Sequence, residues 1–275
     1  MKLSFKRTLI TESAGTTFLQ DKDAIAAWLN KYEIKNFEIH DDFTVTIHGP
    51  FTVAGQVTEI PVKLRASGSV DVTANKITRI DWAPEVVNGD FDCWDNEIET
   101  LEGGPKKVTG SFDCDANKLR DLVGAPEEVE GSFICSSNNL QSLKGAPRKV
   151  GRYFKAQNCG LEAIDALPEE VGTNIYLQQN AIRSVKGINK LVRSLGAQGQ
   201  EGKTGVINLE HNPIENGLLS LMIVKGIKNI KYAHKDRAQK PIDDIIARIN
   251  RALQAGTDPL DVQDELIDNG LAQHS

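Results

Sequence analysis

An asparagine recurs about every 21 residues through the middle of this chain. The intervals are 21, 21, 21, 20 and 22 residues for Asn75, Asn96, Asn117, Asn138, Asn158 and Asn180. The clearest copies of the phrase around it are residues 110–119, Gly-Ser-Phe-Asp-Cys-Asp-Ala-Asn-Lys-Leu, and residues 131–140, Gly-Ser-Phe-Ile-Cys-Ser-Ser-Asn-Asn-Leu. A fixed period of about 21 residues predicts a solenoid, in which each repeat buries its apolar face against its neighbours.

Each copy places a short alternation of apolar and polar residues just before the asparagine. Phe112 and Cys114 show this pattern, which predicts a short strand with one buried face. If successive strands lie parallel, the asparagines stack as a ladder, and each amide can bond backbone groups of the adjacent coil. The return segment after the asparagine is rich in Pro and Gly, which predicts extended or 3₁₀ structure. The predicted ladder consists of Asn75, Asn96, Asn117, Asn138, Asn158, Asn180 and Asn212.

The repeat phrase Phe-x-Cys-x-x-Asn-x-Leu-x-x-Leu resembles the leucine-rich repeat. The phrases Gly-Ser-Phe-x-Cys and Leu-x-Gly-Ala-Pro resemble leucine-rich-repeat proteins of tailed bacteriophages over residues 68–190, and the likeness returns at 205–215. The resemblance implies an α/β fold class, a leucine-rich-repeat solenoid with a parallel sheet of short strands, and a protein-interaction role without catalytic residues. It departs where Lys155 takes the cysteine slot and residues 158–161 carry one extra residue, which predicts a local bulge.

The flanking segments are typical of caps, which a solenoid needs to cover the ends of its core. We predict an α+β N-terminal cap over residues 1–66, with a helix over 21–32 followed by strands. The solenoid is predicted to span residues 67–215. A helical C-terminal cap is predicted over 216–275, with one helix that begins at Pro241 and a second that begins after Asp258.

Composition limits the classes of function. The chain has 275 residues, 40% of them hydrophobic and 25% charged, as in an ordinary folded protein. Its formal net charge of −6 disfavours a nucleic-acid partner, since such binders normally carry a basic face. No apolar run approaches the about 18 residues that a membrane span needs, and the N-terminal segment does not resemble a secretion signal. We therefore expect a cytoplasmic protein without a membrane partner.

The cysteines follow the repeat. Cys93, Cys114 and Cys135 occupy the same slot at intervals of 21 residues, which predicts small buried apolar side chains rather than a disulfide framework. Three stacked thiols that hold a soft metal are the alternative. We expect no metal and no cofactor, because the sequence has no Cys-x-x-Cys pair and no histidine near these cysteines.

Two segments offer weaker functional signals. Residues 197–204, Ala-Gln-Gly-Gln-Glu-Gly-Lys-Thr, match a loose form of the phosphate-binding P-loop. That chemistry needs a strand before the loop and a helix after it, whereas the predicted order here is reversed, which favours a Gly-rich insertion. The basic stretch 225–240 could contact nucleic acid, but it has few aromatic residues and is better explained as a solvated cap surface.

The strand positions that alternate with the buried pair predict a binding surface. In leucine-rich repeats these residues line the concave face. One half of this surface is acidic, with like charges stacked on adjacent strands, an arrangement that is mildly destabilising without a partner. The other half is predicted to be apolar and aromatic, which is typical of a protein-binding patch. The predicted partner-binding residues are Asp71, Asp92, Trp94, Asp113, Ile134, Phe154 and Tyr176.

These patterns favour a non-enzymatic leucine-rich-repeat interaction module that binds an unidentified host or phage protein. Two alternatives stay open. One is a structural or accessory component of a virion, held by its end caps with the solenoid as a spacer. The other is a nucleotide-binding protein that uses residues 197–204.

Overall fold

The computed structural model describes residues 17–196, 205–232 and 240–268. Within these residues the chain forms a parallel-strand β-solenoid of about nine turns, with a few helices at its ends. This confirms the predicted repeat solenoid with a parallel sheet of short strands and small helical elements. The predicted P-loop-like segment, residues 197–204, lies outside the described residues.

The described residues form three sheets. The N-terminal sheet contains β1 (Phe37–Ile39), β2 (Thr44–Ile47) and β4 (Lys63–Ala66), in that order. Sheet I has nine strands: β3 (Phe51–Thr52), β5 (Val70–Asp71), β7 (Phe91–Asp92), β9 (Phe112–Asp113), β11 (Phe133–Ile134), β13 (Phe154–Lys155), β15 (Ile175–Tyr176), β17 (Val206–Asn208) and β18 (Asn229–Lys231). Sheet II has six: β6 (Val86–Val87), β8 (Lys107–Val108), β10 (Glu128–Val129), β12 (Lys149–Val150), β14 (Glu170–Val171) and β16 (Ser194–Leu195).

Five helices accompany these sheets in the described residues. They are α1 (Lys22–Lys31), α2 (Ile188–Leu191), α3 (Leu219–Met222), α4 (Lys240–Ala255) and α5 (Pro259–Asp268). The Asp21 carboxylate caps α1 by accepting from Ala24 N at 2.7 Å. Helix α4 begins one residue before the predicted start at Pro241 and buries Ile245 and Ile249. Sheet I runs from β3 to β18 and so extends into both predicted caps, and the division at residues 66 and 215 stays a prediction about domains.

A column of stacked phenylalanines forms the centre of the core under sheet I. The ring centroids of Phe91 and Phe112 lie 5.1 Å apart, those of Phe112 and Phe133 5.4 Å apart, and those of Phe133 and Phe154 5.8 Å apart. The register explains the stack, since each phenylalanine pairs with its counterpart one coil away. Stacked rings of this kind stabilise the solenoid beyond the apolar area that they bury.

The asparagine ladder forms beside this column. Asn117 shows its geometry: its Oδ1 accepts from Ile98 N at 2.9 Å, and its Nδ2 donates to Cys93 O at 3.0 Å in the preceding coil and to Cys114 O at 3.2 Å in its own. Each side chain therefore joins two coils through backbone groups that would otherwise be buried without partners. The same bonds are formed by Asn75, Asn96, Asn138, Asn180 and Asn212.

The prediction that Asn158 belongs to the ladder is wrong. Cys159 occupies this position, one period of 21 residues from both Asn138 and Asn180. Its Sγ lies 3.4 Å from Cys135 O, the carbonyl that a ladder amide would reach. Asn158 has φ of 53° and belongs with the left-handed residues that precede each ladder position, such as Ala116 with φ of 52°. Asparagine tolerates this conformation well, which explains its presence there.

The fifth coil therefore keeps the regular spacing, and its strand lies one residue away from the predicted register. Phe154 pairs with Phe133 and is fully buried, Lys155 pairs with Ile134 on the outward face, and Ala156 fills the cysteine slot. The assignments of Lys155 to the cysteine slot and of Phe154 to the binding surface are both wrong. A one-residue shift in a strand moves every side chain to the opposite face.

The return segment forms strands where only extended or 3₁₀ structure was predicted. Its valines, such as Val108 and Val129, are buried and pair in parallel across neighbouring coils to make sheet II. Two glycines show how closely the coils approach. A Cβ on Gly131 would lie 2.6 Å from the backbone of Gly110, and Gly145 has φ of +87° at the turn into the segment. Side chains larger than hydrogen do not fit at these positions without strain.

Candidate functional site: the outward face of sheet I

The outward face of sheet I presents one side chain from each coil in a central column. The strand register aligns these side chains across neighbouring coils, with strands about 4.8 Å apart. The face changes character along the solenoid, from carboxylates in the early coils to a mixture of apolar, aromatic, basic and amide side chains in the later ones. In chain order, the column consists of Thr52, Asp71, Asp92, Asp113, Ile134, Lys155, Tyr176, Asn208 and Lys231.

The acidic half of the column brings like charges into register. Asp92 pairs directly with Asp71 on one side and Asp113 on the other. Partial burial raises the pKa of Asp92 to about 6, and the neighbouring carboxylates of Asp90, Asp113 and Asp71 act in the same direction. Within the described residues, no basic side chain forms an ion pair with these three column carboxylates. The half therefore carries negative charge that is partly removed from water and is balanced only in part, since burial raises the pKa of Asp113 while the Asp115 N–H and the charge of Lys155 lower it.

The carboxylate of Asp115, beside the column, is compensated within the chain. Lys155 Nζ lies 3.9 Å from Asp115 Oδ2, and Asp115 also accepts from Ser136 N. Burial raises the pKa of the Asp115 carboxyl, while Lys155 and the bonds from Ser136 lower it. Lys155 thus ends the acidic half on the side of the later coils.

Trp94 lies close to Asp92 in the chain and is the large apolar side chain exposed on this half. Its exposed fraction is 43%, although a tryptophan is normally well covered in a folded chain. It follows Cys93, which is fully buried, so the alternation of the strand directs the indole outward. A tryptophan beside carboxylates supplies the apolar part of a surface that could recognise a charged protein.

The aromatic half differs from the prediction by one residue. Tyr153 and Tyr176, both partly buried, make an edge-to-face contact with ring centroids 5.8 Å apart. Asn174 Nδ2 donates to the Tyr176 hydroxyl at 3.2 Å, which holds that ring in place. Lys155 occupies the column position predicted for Phe154, and Tyr153, on the other side of Phe154 in the chain, supplies the aromatic contact with Tyr176. The interval of 21 residues between Phe133 and Phe154 indicates that Phe154 is the buried residue of this strand, which leaves Tyr153 on the outward face.

The outward face of sheet II alternates lysine and glutamate across neighbouring strands, unlike the stacked carboxylates of sheet I. Its outward positions pair Lys107 with Glu128, Glu128 with Lys149, and Lys149 with Glu170. Lys149 Nζ lies 3.9 Å from Glu170 Oε2. Opposite charges across strands are stabilising, whereas like charges are destabilising. The acidic column of sheet I departs from this favourable pairing of opposite charges. Departures of this kind are typical of functional surfaces.

Replacement of Asp92 by asparagine should stabilise the protein at neutral pH. Because the pKa of Asp92 is raised from 3.8 to about 6, its contribution to the free energy of unfolding is present below pH 3.8 and is lost as pH rises through about 6. The asparagine side chain does not ionise in this range. We expect Asp92→Asn to be more stable than the wild type by about 1 kcal/mol at about pH 7.5, and the difference to shrink towards about pH 4.5.

Urea unfolding of both proteins at the two pH values measures this difference. Asp264→Asn makes the same chemical change on the exposed face of α5, away from the acidic column, and is the matched control. A stability difference between wild type and Asp92→Asn that does not change with pH contradicts the electrostatic explanation.

Other kinds of site find little support in the described residues. No group of three or more His, Cys, Asp or Glu side chains there could hold a metal ion. The four cysteines are buried free thiols, and burial raises the pKa of Cys159 to about 11, well away from a reactive thiolate. In the same residues, no helix combines the length and apolar character needed to cross a bilayer.

The fold defines the class of protein as a parallel-strand β-solenoid repeat protein. Comparison of the chain with protein-family models, curated proteins and solved structures finds no match.

Proposed function

We propose that this chain is a non-enzymatic, leucine-rich-repeat-like interaction protein that binds a protein partner on the outward face of sheet I. Lysine or arginine side chains of the partner meet Asp71, Asp92 and Asp113. Trp94 and the tyrosine pair at the other half supply apolar contact. The observation that carries the proposal is the column of three carboxylates in register, with the pKa of Asp92 raised to about 6 and no ion pair to a described basic side chain.

A basic partner would remove the cost of this arrangement. It would stabilise the ionised form of Asp92 and lower its pKa, so that binding near pH 6 releases a proton. Electrostatic complementarity would also make association faster and sensitive to salt. The aromatic residues nearby fit the composition of interface cores, which are enriched in Trp and Tyr.

The origin and location of the protein belong to the same proposal. The resemblance of its repeat phrase to those of leucine-rich-repeat proteins of tailed bacteriophages supports a phage-encoded protein in the cytoplasm of an infected bacterium. Its partner would then be a host or phage protein, and a lysate of bacterial cells is the appropriate source.

A pull-down with a pair of charge-reversal variants tests the proposal. Asp92→Lys reverses the centre of the acidic column, and Glu162→Lys makes the same change in net charge at an exposed position outside both sheets. Tagged wild type and Glu162→Lys should enrich the same protein from a bacterial lysate, as identified by mass spectrometry. Asp92→Lys should lose it, with an affinity for the purified partner about tenfold weaker or more.

Enrichment of the same specific proteins by Asp92→Lys and by wild type contradicts binding at this face. A double variant, Tyr153→Ala with Tyr176→Ala, tests the other half in the same assay. If only intact virions retain the protein, the virion alternative replaces the interaction module.

A further inference from the structure

The C-terminal edge of sheet I is closed by a side chain. The backbone N–H and C=O of Ile230 in β18 point away from β17, towards the side on which a further coil of the solenoid would lie. Asn250 of α4 takes the place of that coil: its Oδ1 accepts from Ile230 N at 2.7 Å, and its Nδ2 donates to Ile230 O at 2.8 Å. The amide thus imitates the peptide group of a further strand. Covering an edge in this way is a common protection against unwanted strand pairing.

The N-terminal edge, formed by β3, has no comparable cover among the described residues. Val53 N donates to Asp71 O at 3.0 Å, so Val53 directs its backbone groups towards the next coil. Backbone directions alternate along a strand, and Thr52 and Ala54 therefore direct their N–H and C=O groups away from the sheet. Neither residue forms a backbone hydrogen bond to a described residue on that side.

A groove lies along this open edge. Its cavity has a volume of about 550 Å³ and is lined on the sheet side by Pro50, Thr52 and Ala54. The opposite wall consists of residues 31–36, which connect α1 to β1. A wall that runs beside unpaired strand groups, with space between them, has the shape that receives an extended peptide.

The charges on the groove indicate the chemistry of its occupant. Lys31 and Lys35 are exposed on the wall and form no ion pair within the described part of the chain. Lys31 Nζ also lies 5.0 Å from the centroid of the Tyr32 ring. Glu33 is the one carboxylate among the described residues that line the groove. Two unpaired lysines favour an acidic ligand, and they oppose pairing of this edge with the same edge of a second copy.

We propose that this groove binds an extended acidic peptide segment of another protein, which adds to sheet I as a further strand beside β3. The backbone groups of Thr52 and Ala54 provide the hydrogen bonds, and Lys31 and Lys35 select Asp or Glu side chains. The groove adjoins the outward face of sheet I, since Thr52 pairs with Asp71, but its lysines give it the opposite charge preference. Lys31 and Lys35 lie outside the strands of sheet I, so a variant at these lysines tests the groove apart from the acidic column.

The test uses proline at the edge. Thr52→Pro removes the outward N–H but leaves the bonds between β3 and β5, and proline is tolerated on edge strands. Thr52→Val keeps the N–H and the branched side chain, and is the matched control. The probe is a displayed library of random peptides of about ten residues selected on the wild type, long enough to pair with the edge strand. Enriched peptides are then synthesised and measured by fluorescence anisotropy.

We expect the enriched peptides to be acidic and to bind Thr52→Val as tightly as the wild type. Thr52→Pro should bind them about tenfold more weakly or worse, which corresponds to about 1.4 kcal/mol. The double variant Lys31→Glu with Lys35→Glu leaves β3 unchanged and should also weaken binding, so the proposal can be tested even if Thr52→Pro does not fold. In the wild type, bound peptide should slow hydrogen exchange at the amides of Thr52 and Ala54.

Three results overturn the proposal. The first is that no peptide is enriched on the wild type relative to Thr52→Pro. The second is equal affinity of the enriched peptides for Thr52→Pro and Thr52→Val. The third is a wild-type dimer that Thr52→Pro dissociates, because a second copy of the chain would then occupy the edge.

Discussion

Phe154→Ala should lower the free energy of unfolding by about 3–5 kcal/mol, the cost of removing a fully buried aromatic ring. Phe154 has no exposed surface, and its ring stacks on Phe133 with an interplanar angle of 4°. Truncation would leave a cavity in the middle of the phenylalanine column, where the flanking coils are held in register by their own strand pairs and cannot close it. The midpoint of urea denaturation, with the denaturant dependence unchanged, measures the loss.

Tyr153→Ala, one residue earlier, is the control for Phe154→Ala. Tyr153 is only partly buried and contacts Tyr176 on the outward face, so its truncation should cost about 1 kcal/mol or less. A larger loss for Tyr153→Ala than for Phe154→Ala would mean that the strand has the opposite register. That register would return Phe154 to the surface.

The repeat architecture was accessible from the sequence because its signals are local and repeated. The alternation around Phe112 and Cys114 identifies a strand face, and a repeated asparagine identifies the coil that bonds to it. Helix α4 was accessible for a similar reason, since its isoleucines recur on one face.

The fifth coil was mispredicted because residue identity was given more weight than period. Asn158 is an asparagine one residue before the ladder position, and it shifted the predicted strand by one residue. Cys159 does not resemble a ladder residue, yet it keeps the interval of 21 residues on both sides. The shift placed Phe154 on the candidate binding surface, where the structure has Lys155 in the column and Tyr153 beside it. The acidic half was unaffected, because its coils contain no such irregularity.

Features that depend on distant parts of the chain were not predictable in this way. The bond pair between Asn250 and Ile230 requires α4 to dock against the last coil, and nothing in the local sequence of α4 specifies that position. The open edge at Thr52 is equally invisible locally, because an unpaired strand has the same alternation as a paired one. Both features lie at the edges of sheet I and depend on tertiary packing, so the sequence alone identifies the repeat better than the ends of the sheet.

Asn117→Ala should destabilise the protein by about 2–4 kcal/mol although it removes only a small polar side chain. The Ile98 N–H, which donates to Asn117 Oδ1 at 2.9 Å, would be left buried without a partner. The link from the Asn117 amide to Cys93 O in the preceding coil would be lost as well. Urea denaturation of Asn117→Ala beside Asn139→Ala measures the effect, because Asn139 is exposed and its replacement should change stability by less than about 0.5 kcal/mol.

The converse change, Cys159→Asn, should stabilise the protein by about 1 kcal/mol, the net value of a buried hydrogen bond. Leu140 occupies the position that corresponds to Ile98, but its N–H forms no hydrogen bond to a described residue, since Cys159 lacks the amide oxygen. An asparagine in place of Cys159 would supply that oxygen and complete the ladder between Asn138 and Asn180. If Cys159→Asn and Asn117→Ala both destabilise the protein, packing of the Cys159 side chain matters more than a hydrogen bond to Leu140 N. That hydrogen bond would then add little to the free energy of unfolding. Stabilisation by the first and loss by the second would show that the amide itself holds adjacent coils together.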